Sequence, residues 1–229
     1  VKFLRPDLVG IRGWFVSSHL LISDRELVLI DTGLFGDARR IQHTVSQLGE
    51  LKAILLTHGH LDHTGNAAEL QAWSGAKVYA PVGDEDHVAG THSYRGIARV
   101  CGCLEMVGRG LMGYRPPRVD VWFREGDELP FWGGLRVVSL PGHTVGHVGF
   151  LASAKRVFFP GDSFALSWRV ALPPAIFNTD SRQVGESFQK AAAMDVDLFV
   201  PAHYFWLPAQ LPERLRLRAR SLRPTMPPT

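Results

Sequence analysis

Three histidines and an aspartate fall within six positions, His58-Gly59-His60-Leu61-Asp62-His63, directly after the apolar run Ala53–Leu56 and before a helical pattern that starts at Asn66. No other stretch restricts the chain as much. Imidazole nitrogens and a carboxylate are the donor set that suits zinc, iron or manganese. A sharp strand-to-helix turn presents such donors from a loop on a rigid scaffold. Because Gly59 separates His58 from His60, an extended turn aims both at one point. Asp62 and His63 are adjacent and point to a second place nearby, so the spacing implies two metal ions.

A site for two ions needs further donors, and three candidates follow apolar runs. His143 lies in Leu140-Pro141-Gly142-His143, Asp162 in Phe159-Pro160-Gly161-Asp162, and His203 in Val200-Pro201-Ala202-His203. Each stands at the end of an expected strand, behind a small or rigid residue that lets the backbone come close.

The remaining pattern predicts the scaffold. Short apolar runs include Trp14–Val16, Leu20–Ile22, Leu27–Ile30, Lys77–Ala80, Val119–Phe123, Leu135–Leu140, Val148–Leu151, Val157–Phe159 and Leu198–Val200, which have the length of strand cores. Helical spacing predicts helices from Asp37, as N-cap, to Leu48, from Asn66 to Trp73, from Ser181 with Val184 and Phe188 on one face, and around Pro212 to Leu222. This mixture predicts an α/β fold with two sheets and outer helices. At 229 residues, 45% hydrophobic and 21% charged, the chain reads as one globular domain over 1–229. The segment at about 81–118 holds seven glycines up to Gly113 and then Pro116-Pro117, and reads as short helices or an inserted flap carrying His87, His92 and Tyr94. His147 is expected to be a hydrogen-bonded loop histidine. The loop from Trp168 to Asp180, with Arg169 and Phe177, is a candidate substrate wall.

Charge and cysteine content narrow the function classes. The formal net charge is only +3, and the arginines at 214, 216, 218, 220 and 223 supply more than that excess. The basic character therefore belongs to an expected Arg-rich terminal helix at about 211–223, and a nucleic-acid partner is not expected. Cys101 and Cys103 are too close in sequence for an ordinary bridge and are expected to be free thiols. No apolar stretch reaches membrane-spanning length, and Arg5, Pro6 and Asp7 sit where a signal peptide needs apolar residues. A cytoplasmic location and a small-molecule substrate without a membrane partner are expected. The oligomeric state is open, a homodimer included.

The string THGHLDHTGN, followed in order by PGHTVGH, GDS and PAH, and preceded by LVLIDTGL at Leu27 to Leu34, resembles the metallo-β-lactamase superfamily of hydrolases over about residues 14 to 203. The resemblance implies an αββα sandwich, two mixed β-sheets flanked by helices, with metals at one edge. It implies that His58, His60 and His143 hold one metal and that Asp62, His63 and His203 hold the other, with Asp162 bridging. Asp31 would sit behind the turn and orient a ligand histidine. Two divalent ions are implied as cofactors, zinc first, with iron or manganese as alternatives. The implied reaction is hydrolysis by a metal-bridging hydroxide, with Asp62 and Asp162 as proton acceptors.

Within that superfamily the ligand pattern is most similar to glyoxalase II. Class B β-lactamases commonly use a cysteine ligand or lack the bridging aspartate, whereas Asp162 stands at that position here. Only 26 residues follow His203, which leads us to expect a small ester, thioester or lactone substrate other than a glutathione thioester. Quorum-sensing lactonases carry a tyrosine where this chain has Ala165. Two other readings are carried forward: a mononuclear iron persulfide dioxygenase, which would use two histidines and one aspartate, and a nucleic-acid phosphodiesterase.

Overall fold

Antiparallel strands can be joined by tight turns, while parallel neighbours need a crossover, usually a helix. Both kinds of connection occur in the computed structural model, which describes residues 1–222. Strands β1 (Lys2–Arg5), β2 (Leu8–Arg12), β3 (Ser17–Ser23) and β4 (Glu26–Ile30) form an antiparallel meander. Helix α1 (Asp37–Leu48) then crosses to β5 (Glu50–Leu55). The short α2 (Leu61–Thr64) and α3 (Ala67–Ser74) lead to β6 (Lys77–Pro81), and α4 (Glu85–Ala89) and α5 (Arg99–Met112) lead to β7 (Val119–Phe123). From β4 to β7 the pairing is parallel, so the seven-stranded sheet is mixed and runs in sequence order.

The second sheet is built from β8 (Glu128–Leu129), β9 (Leu135–Ser139), β10 (Val148–Ala152) and β11 (Val157–Phe159). A two-stranded hairpin of β12 (Ala165–Leu166) and β13 (Val170–Ala171) follows, then α6 (Ser181–Ala192), β14 (Leu198–Phe199) and α7 (Leu211–Ser221). Strand β14 pairs parallel to β11, and the other pairs of this five-stranded sheet are antiparallel.

Side-chain alternation along the strands decides the layering. In β4, Val28 and Ile30 point inward to meet Val137, Phe150 and Phe159 of the second sheet. Leu27 and Leu29 point outward, under Ile41 and Val45 of α1 and Leu70 of α3. On the far side, Val138, Phe158 and Phe199 pack against Phe188 of α6 and Leu211 and Leu215 of α7. The result is the αββα sandwich of two mixed sheets that the motifs imply.

Several local expectations change. Asp37 does not cap its own helix: Gly36 precedes the helix in a left-handed conformation, and Asp37 is buried with Oδ2 accepting the Leu34 N–H at 3.0 Å. Trp14 and Phe15 are not a strand core; they lie exposed in the turn between β2 and β3. The segment around 81–118 includes a 14-residue helix, α5, despite its glycines. By contrast Asp180 caps α6 by accepting from Arg182 and Gln183 N–H, and Val184 and Phe188 are buried as the spacing requires. The Arg-rich helix ends at Ser221, and Arg223 lies outside the described residues. Both cysteines are free, Cys101 buried and Cys103 exposed. Among the described residues no helix is long and apolar enough to cross a membrane.

Candidate metal centre

Strand β5 ends at Leu55, and the chain then turns through Thr57, His58 and His60 into α2, which carries Asp62 and His63. Gly142 delivers His143 and Gly161 delivers Asp162. Their φ values are +120° and +53°, and a Cβ would lie 2.4 Å from Val184 N at Gly142 and 2.5 Å from His147 Nε2 at Gly161. Only glycine satisfies both the left-handed backbone and the close approach. His203 follows β14, with Nδ1 on the Phe15 carbonyl at 2.8 Å.

The seven side chains singled out in the sequence converge. His58 Nε2 lies 3.2 Å from His60 Nδ1, which lies 3.0 Å from His143 Nε2. Beside this trio, His63 Nε2 is 3.7 Å from Asp62 Oδ2, and His203 Nε2 is 3.5 Å from the same oxygen. Asp162 spans the two groups: Oδ1 is 3.4 Å from His63 Nε2, while Oδ2 is 3.3 Å from His143 Nε2 and 3.0 Å from His203 Nε2. The His58–His60–His143 and Asp62–His63–His203 sets each bring their donor atoms within 4.8 Å of one another.

The outer nitrogens show what the inner ones carry. His63 Nδ1 faces Asp31 Oδ2 at 2.9 Å, His143 Nδ1 faces Asn178 Oδ1 at 3.1 Å, and His203 Nδ1 faces a backbone carbonyl. The Thr57 hydroxyl donates to Asp31 and so accepts from His58 Nδ1 at 3.1 Å. In its neutral form each ring uses its single proton outside, which turns the Nε2 atoms of His58, His63, His143 and His203 inward as donors to a cation. Lone pairs converging among two carboxylates, with the buried His63 Nε2 and Asp162 Oδ1 lacking a hydrogen bond, form a donor set that divalent cations satisfy. The residues fit the ions that the motifs imply.

Electrostatics separates the two groups. Burial, and then the neighbouring histidines, hold His58 and His60 well below the ordinary histidine range. Burial also works against charge on His63, but Asp31, Asp162 and Asp62 outweigh it and hold the ring well above that range. His203 is lifted to about 9 in the same way, with Asp162 overcoming burial. Without metal, His203 therefore carries a proton on the nitrogen that faces Asp62 and Asp162. A metal must displace that proton. His63, held above the ordinary range, gives up a proton as well, so the apparent affinity for the second ion is expected to rise between about tenfold and a hundredfold per pH unit from pH 7 towards 9, with proton release on loading. Competitive metal titration at several pH values measures it, and a pH-independent affinity would contradict the assignment of His203.

Asp31 adopts φ +58°, a conformation uncommon outside glycine. It accepts Thr57 N–H at 2.9 Å and the Thr57 hydroxyl at 2.8 Å while it touches His63, so it joins the end of β4 to the histidine turn. His147 is buried and hydrogen-bonded as expected: Nδ1 donates to the Leu140 carbonyl at 2.7 Å, and Nε2 accepts the Asp162 N–H at 2.9 Å. That second bond sets the backbone behind Asp162.

Two positioning residues escape sequence reasoning. Asn178 orients His143. Asp84, fully buried after β6, accepts from Gly59 N–H at 2.8 Å, the Thr144 hydroxyl at 2.6 Å and Gly146 N–H at 2.7 Å, tying two histidine loops together. Burial pushes its carboxyl upward against these hydrogen bonds. An aspartate shortly after a strand-ending proline was the only sequence signal. Asp84→Ala leaves three donors without their acceptor, so we expect a loss of about 3 kcal/mol and a fall in Tm of roughly 10 °C, read by calorimetry. An unchanged Tm would contradict this role. His87 and His92 stack on each other at 3.5 Å, with His87 buried, and line no cavity at the site. Of the candidate wall, Phe177 lines the cavity at the site, whereas Trp168 is 85% exposed and does not line it.

Comparison with known proteins places this geometry. The family profile described as Metallo-beta-lactamase superfamily matches residues 11–203. Hydroxyacylglutathione hydrolase GloC of Haemophilus influenzae is 31% identical over 147 residues, 61% of this chain and 61% of that protein, so the match spans less than two thirds of the relative's length. The probable metallo-hydrolase YflN of Bacillus subtilis is 28% identical over 77% of this chain and 74% of its own. The crystal structure of TTHA1623 in a di-iron-bound form superposes with a TM-score of 0.68 at 24% identity, covering 90% of this chain and 96% of that one. That likeness shows the fold.

Proposed function

Because the chain belongs to the metallo-beta-lactamase superfamily, we propose that it is a metal-dependent hydrolase that cleaves a small ester, thioester or lactone, with His58, His60 and His143 holding one divalent ion, Asp62, His63 and His203 a second, and Asp162 shared. The observation that carries this reading is the convergence of the Nε2 atoms of His58, His63, His143 and His203, each ring held from outside by a contact at Nδ1. Two bound ions would supply water ionised near neutral pH and a polarised carbonyl. Zinc suits the histidine and carboxylate donors, and iron suits them also, TTHA1623 being di-iron-bound.

The chain's own residues account for the remaining chemistry. Asp162 holds the two histidine groups in register: Oδ2 meets His143 of one and His203 of the other, and Oδ1 meets His63. Asp62, whose side chain is 28% exposed and borders the open cavity, can accept a proton on the carboxylate oxygen not turned to His63 and His203 and pass it to the leaving alcohol or thiol. Among the described residues neither candidate nucleophile beside the centre, Ser163 or Cys101, is poised to attack the carbonyl itself. The Ser163 hydroxyl donates to the Pro160 carbonyl at 2.8 Å, and burial pushes the Cys101 thiol up to about 12. A thiol so rarely ionised is a poor nucleophile, so water is the attacking group. Similarity to hydroxyacylglutathione hydrolases supports a thioester among the candidate substrates. The complete seven-residue set favours the two-ion hydrolase over the one-iron dioxygenase. The experiment is a panel of thioester, lactone, ester and phosphodiester substrates offered to metal-loaded and chelator-stripped protein. Turnover of an acyl substrate only by the loaded form is expected. Full activity in the stripped form, or turnover of the phosphodiester alone, would overturn the proposal.

A further inference from the structure

The open face of the centre leads into a cavity of about 600 Å³, a volume suited to a small organic ligand. Its walls come from segments far apart in sequence: Phe15 and Phe35 from the turns after β2 and β4, Leu104 from α5, and Phe164, Pro174 and Phe177 from the stretch between Asp162 and α6. Outside the ligand set, the one charged side chain in the lining is Glu105. Its carboxylate is already engaged by Leu61 N–H at 2.7 Å, the Tyr94 hydroxyl at 2.7 Å and Arg109 at 3.2 Å. Among the described residues no lysine or arginine lines this cavity; Arg12, Arg169, Arg214 and Arg218 border other depressions.

Against the walls away from the metal centre, an anionic group loses its hydration without gaining a counter-ion, whereas every methylene placed there gains by leaving water. Resting on the hydrolase reading above, we propose that the cavity receives an uncharged, apolar acyl arm. The preferred substrates are then medium-chain or aryl-acyl esters, alkyl lactones, or thioesters of uncharged thiols, and not thioesters of glutathione, whose peptide carries carboxylates. Water adds its hydroxyl to the acyl carbon, the C–O or C–S bond breaks, and the alcohol or thiol leaves with the proton. Helix α5 thereby acquires a role: it supplies one wall of the acyl site.

The test uses the metal-loaded enzyme and p-nitrophenyl acetate, butyrate, hexanoate and octanoate. We expect kcat/KM to rise by about fourfold per added methylene until the cavity is filled. The hexanoyl thioester of N-acetylcysteamine should be cleaved with at least roughly tenfold higher kcat/KM than the hexanoyl thioester of glutathione, the order expected when a charged group lacks a partner. Leu104 is 57% exposed, so Leu104→Arg should fold; it should flatten the ester series and narrow the gap between the thioesters. Calorimetric titration of octanamide against acetamide reads the same site without turnover, and tighter octanamide binding is expected. A flat series in the unmodified enzyme, equal or better use of the glutathione thioester, or equal binding of the two amides would overturn the acyl site. If no acyl substrate is cleaved while octanamide still binds more tightly, the hydrolase reading fails and the apolar site stands.

Discussion

His58→Ala lowers kcat/KM for an acyl substrate by roughly a thousandfold or more and removes one equivalent of tightly bound metal. His58 is fully buried, its Nε2 lies 3.2 Å from His60 Nδ1, and its ring is held neutral by burial and by neighbouring histidines. Truncation leaves His60 and His143 as two nitrogens where three had converged. An ion there is expected to stabilise developing charge by several kcal/mol, and about 4 kcal/mol corresponds to three decades of rate. Parallel steady-state kinetics and metal analysis check the result. Unchanged turnover with unchanged metal content would remove His58 from the site. Loss of turnover with full metal content would place its role elsewhere.

Asp162→Asn gives a second large effect with little change of shape. The carboxylate is pulled well below its usual range: burial opposes ionisation, but the charges of His203 and His63 outweigh it. An amide keeps the volume and loses the charge between the two histidine groups. We expect kcat/KM to fall by about a hundredfold to ten-thousandfold and the second ion to bind far more weakly. In the metal-free protein His203 should return from about 9 towards ordinary histidine values, because Asp162 is the main group lifting it. Histidine titration by NMR reads that shift, and a purely structural role for Asp162 would leave it in place. Retention of near-normal turnover would contradict the bridging assignment.

The legible parts of this protein are those whose signal is local. His58, His60, Asp62 and His63 share one turn, and His143, Asp162 and His203 each stand at a strand end, behind Gly142, Gly161 and Ala202. Strand termini and rigid turns are written in short stretches of sequence, so the donor set could be assembled before its geometry was seen. Asp84 could not be found that way. Its function consists of contacts to residues 59, 144 and 146, and nothing near residue 84 distinguishes it from a turn aspartate.

The same reason explains the misread elements. Trp14 and Phe15 have strand-like composition, but Phe15 lines the cavity mouth and its carbonyl holds His203, so the turn there serves the site instead of the core. Where the glycine-rich sequence reads as short helices or an inserted flap, α5 runs for 14 residues. Tertiary contacts overrule that propensity: Glu105 anchors it to Leu61 and Tyr94, and Gly108 stands so close to Leu61 that a Cβ would lie 2.8 Å from its side chain. The apolar cavity was the least legible feature, because its walls come from separate segments and none announces its neighbours.

The proposed chemistry requires seven side chains around a pair of ions. The most direct measurement is a crystal structure of metal-loaded protein, with anomalous scattering recorded at the absorption edge of the bound element. Two anomalous peaks are expected, one within about 2.3 Å of nitrogens of His58, His60 and His143 and one at similar distance from Asp62, His63 and His203, with Asp162 beside both. A single peak at saturating metal, or peaks away from these residues in an active enzyme, would contradict it.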